Sequence, residues 1–157
     1  MRKIFGSILL LLLFSFLLMG CNSYSVKNLK GSELFDQEGK YLIFVHKENC
    51  VGCDEAMEVV IQYNNVLKED RFKDKRKVYG FDVSKGEESL VYRSYSGVDG
   101  QGTNGAFYVN NVTKWNDLYI GSTPALLSVD NTGETFIVRY VSQGAEAIIE
   151  SLTSFLE

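Results

Sequence analysis

Histidine, proline and tryptophan each occur once in the 157 residues, and cysteine three times. So few cysteines exclude a disulfide-stapled miniprotein, and a chain of this length has core enough to fold without staples. Positive charge is also scarce. From Cys21 onward there are 14 basic against 20 acidic groups, a net charge of −6. The field needed to hold nucleic acid non-specifically is missing, so nucleic acid is excluded as a partner. No internal repeat is visible, and the length fits one domain. Long apolar runs are absent with one exception, Ile4 to Met19.

That exception follows Arg2 and Lys3 and contains Ile8 to Phe14, the layout of a secretory signal. It ends at Leu18-Met19-Gly20-Cys21, which resembles the bacterial lipobox in Leu18, Gly20 and Cys21, with Met19 in place of the usual small residue. The resemblance implies that residues 1–20 are a lipoprotein signal peptide and that Cys21 is acylated. Residues 21–32 would then tether the domain to the extracytoplasmic face of a bacterial cell membrane. The other reading is an uncleaved signal anchor, for which the stretch is short. Both readings place the domain outside the cytosol, where a disulfide between the two remaining cysteines persists.

The pattern over 33–157 is that of one domain. Ser32 is placed to cap a short helix from Glu33 to Gln37, closed by Gly39. Tyr41 to Val45 is a continuous β-rich run, which predicts a strand buried on both faces. Cys53 to Lys68 carries Met57, Val60, Ile61, Asn64 and Leu67 on one helical stripe. The basic residues from Lys73 to Lys77 mark a solvated turn before a strand over Val78 to Val83. Ala125 to Val129 and Thr135 to Val141 read as a hairpin around Asp130-Asn131-Thr132-Gly133. A last helix, Ala145 to Leu156, has one apolar face. The order β-α-β, a long connection and β-β-α predicts an α/β fold with a central mixed sheet flanked by helices.

Cys50-Val51-Gly52-Cys53 stands where the buried strand hands over to the helix. Free amides at a helix start stabilise negative charge and so favour a thiolate, the species that attacks disulfides. Cys50, nearer the strand end, is the expected nucleophile. Cys53, one turn on, is the expected resolving thiol. A loop of this size is too short to stabilise the fold by closure entropy, which argues against a purely structural staple. Zinc needs two further ligands, and no other cysteine of the mature domain supplies them.

Strand, CxxC, strand and hairpin resemble the thioredoxin superfamily in their order. A second marker is Gly121-Ser122-Thr123-Pro124, directly before the strand Ala125 to Val129. The resemblance covers roughly residues 33–83 and 117–157. It implies a thioredoxin-like fold, a cis peptide bond at Pro124 packed against the cysteines, and a Thr123 backbone that pairs with a substrate strand. It also implies a thiol–disulfide oxidoreductase that needs no dissociable cofactor. Its partners would be secreted or surface proteins bearing thiols or disulfides, with a membrane thiol-redox partner to recharge it. The chain departs from the family in the dipeptide Val51-Gly52, in Asn49 before the first cysteine, and in Phe44 where thioredoxins bury an acid. Glu48, Asp54 and Glu55 add negative charge around the pair. The direction of exchange is not readable from these residues.

Three readings stay open. His46, four residues before Cys50, is either a strand-end residue or a group that tunes Cys50; a Cys-Cys-His copper site is the remoter alternative. Pro124 lies 74 residues after Cys50, and Ser84 to Asn116 hold the surplus as an insertion. Its glycines and flanking aromatics fit a surface excursion or a substrate-recognition lid. Finally, the domain could be a non-catalytic accessory of a peptide exporter, as in the loosely similar bacteriocin-transport accessory proteins. A retained CxxC argues against that.

Overall fold

The apolar run Tyr41 to Val45 forms the centre of the sheet. In the computed structural model, which describes residues 25–34, 36–84, 113, 120 and 122–157, β1 spans Gly39–His46, with every residue from Tyr41 onward buried. It is followed by α1 (Val51–Val66), β2 (Lys77–Asp82), β3 (Ala125–Asn131), β4 (Phe136–Gln143) and α2 (Ala145–Leu156). Among the described residues the protein is thus an α/β domain with a four-stranded mixed sheet in the order β2-β1-β3-β4. β1 runs parallel to β2 and antiparallel to β3, and β3 antiparallel to β4. Because β1 has a neighbour on each side and a packed layer on each face, it reads as uninterrupted hydrophobic sequence.

The two layers differ. Leu42 and Phe44 face Ala56, Val60 and Tyr63 of α1 and Ile148 and Leu152 of α2. Tyr41, Ile43 and Val45 pack instead with Phe81, Leu127, Val129 and Val138, and this layer is closed by Leu29, Leu34 and Ile120. Helices were expected on both faces. Among the described residues both long helices lie on one face, against each other.

The N-terminal expectations change most. The helix expected over 33–37 is a 3-10 turn at Gly31–Glu33, and Gly39 opens β1 rather than closing a helix. Among the described residues of this segment only Leu34 is buried, too little to offset the cost of helix nucleation. Residues 25–32, expected as part of a tether, are docked. Val26 and Leu29 are buried, and Asn28 makes a parallel bridge to Gly80 of β2. Leu29 N donates to Gly80 O at 2.9 Å and Gly80 N to Lys27 O at 3.0 Å. Residues 1–24, with the expected signal and Cys21, lie outside the described residues, as does nearly all of the insertion. Among the described residues no helix is long and apolar enough to cross a membrane.

Asn64, the polar member of the α1 stripe, has a reason to be there. Its Nδ2 donates to Val78 O at 2.8 Å and its Oδ1 accepts from Val78 N at 3.0 Å. One amide thereby satisfies both backbone groups of Val78 on the side of β2 away from β1. Tyr63 Oη donates to Arg76 O at 3.0 Å, and burial followed by the opposing pull of Arg76 leaves its phenol above the ordinary value.

At the hairpin end, Arg139 Nη1 donates to Asp130 Oδ2 at 2.8 Å, and Arg76 Nη1 forms an ion pair 2.9 Å from Oδ1. Burial by itself pushes the Asp130 carboxyl up. The Arg139 hydrogen bond and the charges of Arg76, Lys40 and Arg139 outweigh it and hold the group below the usual carboxylate range. The turn, Thr132 to Thr135, lies two residues later than expected, with Asn131 Oδ1 accepting from Gly133 N at 2.9 Å.

Candidate active site

Cys50 is the N-cap of α1, in extended backbone at φ −124° and ψ 100°. Its carbonyl accepts from the amides of Cys53 at 2.9 Å and Asp54 at 3.0 Å. Its sulfur accepts from Cys53 N at 3.2 Å. An amide that points at the sulfur of the cap stabilises a thiolate there, in the positive field of the helix start. Cys50 and Cys53 are joined as a disulfide, with an S–S distance of 2.11 Å and Cα atoms 5.1 Å apart. Cys53 is 2% exposed, whereas Cys50 is half-buried. An incoming sulfur can therefore reach Cys50 and not its partner. Val51, between them, is 75% exposed.

Across the pair lies the loop before β3. The Thr123-Pro124 peptide bond is cis, and Cys50 Sγ sits 3.9 Å from both Thr123 O and Thr123 Oγ1. Gly52 lies against the proline ring: a Cβ built on it would stand 3.5 Å from Pro124 Cδ and 3.8 Å from Ala145 Cβ. Pro124 O accepts from Gly144 N at 2.9 Å. Gly144 has φ 85° and ψ 155°, a backbone region essentially restricted to glycine. The chain can thus turn from β4 into α2 there while its amide still points at Pro124. A register shift between Leu126 and Leu127 leaves Val141 as an extra residue in β4, a bulge at the same end of the sheet.

The link from β1 to Cys50 is held by hydrogen bonds. Val83 N donates to His46 O at 2.9 Å, Glu48 N to Ser84 Oγ at 2.7 Å, and Ser84 N to Asp82 Oδ1 at 2.9 Å. Asn49 takes the left-handed region at φ 56°, which asparagine accepts more readily than most residues. Glu48, Asp54 and Glu55 are exposed to solvent. His46 is 8% exposed; its ring stacks on Phe44 with centroids 5.4 Å apart, and Nε2 lies 2.9 Å from Asn28 Oδ1. Phe44 is wholly inside the core.

Of the residues singled out in the sequence, the fold brings Cys50, Cys53, Thr123 and Pro124 together and sets His46 at the end of β1. Cys21 and the aromatics of the insertion lie outside the described residues. Ser84, which was assigned to the insertion, belongs to the frame of the site. Gly144 and Asn28 were not anticipated. An isolated glycine within a strand pattern, Gly80, was the available signal for Asn28, since such a glycine marks a close approach of other chain. Among the described residues no group of three or more His, Cys, Asp or Glu is placed to hold a metal ion. No protein-family model matches the chain, and no curated protein matches it.

Proposed function

We propose that this is a thioredoxin-like thiol–disulfide oxidoreductase, lipid-anchored through Cys21 on the extracytoplasmic face of a bacterial membrane, acting on secreted or surface proteins. The observation that carries the reading is the half-buried Cys50 sulfur at the start of α1, 3.9 Å from the backbone of Thr123 beside a cis-proline. An extended partner segment laid along Thr123 would bring its own sulfur to Cys50.

In the reducing direction the Cys50 thiolate attacks one sulfur of the partner's disulfide. A Cys50–partner bond forms and the partner's other sulfur leaves as a thiolate. The Cys53 thiol, once deprotonated, attacks Cys50 Sγ; the Cys50–Cys53 bond forms and the partner is released as a dithiol. Two electrons and two protons pass to the partner. The oxidising direction is the reverse, starting from a partner thiolate attacking Cys50 Sγ. A membrane thiol-redox protein would restore the pair. No dissociable cofactor takes part in these steps.

The test is the Cys53→Ala variant, which lacks the resolving sulfur. Expression on cells should accumulate mixed disulfides on Cys50, visible as reductant-sensitive adducts that a Cys50→Ala/Cys53→Ala variant does not form. If no adduct forms and Cys50→Ala cells behave as wild type, the domain is instead a non-catalytic accessory of an export system.

A further inference from the structure

The N-terminal segment makes one contact that reaches toward the reactive loop. Asn28 is fixed along the edge of β2 by the two backbone bonds that its neighbours make to Gly80. Its side chain occupies the space where any residue other than glycine at position 80 would carry a Cβ, which would overlap Oδ1 and stand 3.1 Å from Cγ. From there Oδ1 meets His46 Nε2 at 2.9 Å. His46 is the last residue of β1, buried and stacked on Phe44, and only Lys47, Glu48 and Asn49 separate it from Cys50. Cys50 Sγ lies 3.2 Å from the Cys53 amide, at the far end of that short link.

We propose that Asn28 is a positioning residue for Cys50: through His46 its side chain sets the end of the link and so helps hold the Cys50 sulfur on the Cys53 amide. The proposal rests on reading Cys50 as the reactive thiol. It makes Gly80 part of the same device, because a side chain at position 80 would push Asn28 off His46. If the domain is tethered through Cys21, the part of the chain nearest the anchor is also the part that tunes the chemistry.

The experiment uses the reduced full-length chain and follows iodoacetamide alkylation of Cys50 against pH, peptide by peptide, so that Cys21 and Cys53 are read apart. Asn28→Ala and Gly80→Ala should each raise the midpoint by about half a pH unit, because a loosened sulfur loses the amide that stabilises its thiolate. Val26→Ala, which only thins apolar packing, should lower the unfolding midpoint and leave the Cys50 profile in place. In a His46→Phe background, which keeps the stack on Phe44, Asn28→Ala should add no further shift. A wild-type midpoint in Asn28→Ala, an equal shift in Val26→Ala, or a full additional shift on His46→Phe would each overturn the proposal. Should Gly80→Ala fail to fold, the Asn28 and His46 variants still decide it. A wild-type protein that alkylates normally but exchanges no disulfide would count against the proposed function and leave the positioning role standing.

Discussion

The two ends of the sheet are built from different materials. Where Val45 pairs with Ala125 and Ala125 with Gln143, positions are set mainly by backbone: the cis bond before Pro124, the Gly144 amide on Pro124 O, the left-handed Asn49 and the helix amide on Cys50 Sγ. Where Gly39 and Lys40 pair with Asn131 and Asp130, positions are set by side chains: Arg76 and Arg139 on Asp130, and the Asn131 amide on Gln37 O. Backbone amides and carbonyls do not titrate and tolerate few substitutions. Charged side chains can be exchanged but depend on pH and salt. The chemistry stands at the end where backbone groups do most of the positioning.

Three changes test that contrast. Phe44 is wholly buried in the core between the sheet and the helices, so Phe44→Ala should cost about 3–5 kcal/mol in denaturant unfolding of the whole domain. A loss below about 1 kcal/mol would mean that the domain does not depend on this core. Gly144→Ala should cost about 1–3 kcal/mol, because alanine is strained at φ 85°. It should also slow exchange by the cysteine pair, since the amide on Pro124 is displaced with it. Unchanged exchange in a destabilised Gly144→Ala protein would separate the α2 start from the site.

The smallest effect is expected at the hairpin end. The Asp130 carboxyl is held below its ordinary value, so its contribution is complete above the unfolded-state range near ~4 and is lost as pH falls through the folded-state value. Stability should therefore decline on acidification, and Asp130→Asn should flatten that part of the decline at a cost of about 1 kcal/mol or less at neutral pH. Urea unfolding at pH 7 and pH 3 measures both. Exchange rates at pH 7 should not change; a slowed Asp130→Asn protein would show that the two ends are coupled.

Legibility followed locality. The α2 range, Ala145 to Leu156, was readable in full because its apolar face repeats within the helix itself. β1, β2, β3 and β4 were readable to within two residues at each end. Asn64 was readable as part of a helical stripe but not as the partner of Val78, because that pairing depends on which strand lies at the edge of the sheet. Segment 25–32 reads as tether since it is polar and aperiodic; its apolar residues Val26 and Leu29 dock singly and leave no repeat to detect. In the site, CxxC and Thr123-Pro124 were visible as motifs, while Gly144, Ser84 and Asn28 were not, for each contributes through a partner far away in the chain.

By itself the amino-acid order determined the strand-to-helix junction that presents Cys50 ahead of a helical amide, because cap, turn and first hydrogen bonds all lie within five residues. Only the tertiary structure decided what faces that sulfur and what holds its loop. The Thr123 backbone arrives from 73 residues away, and Asn28 reaches His46 across 18. No local preference can encode such meetings; they exist because β3 and the N-terminal segment find their places on either side of a buried β1.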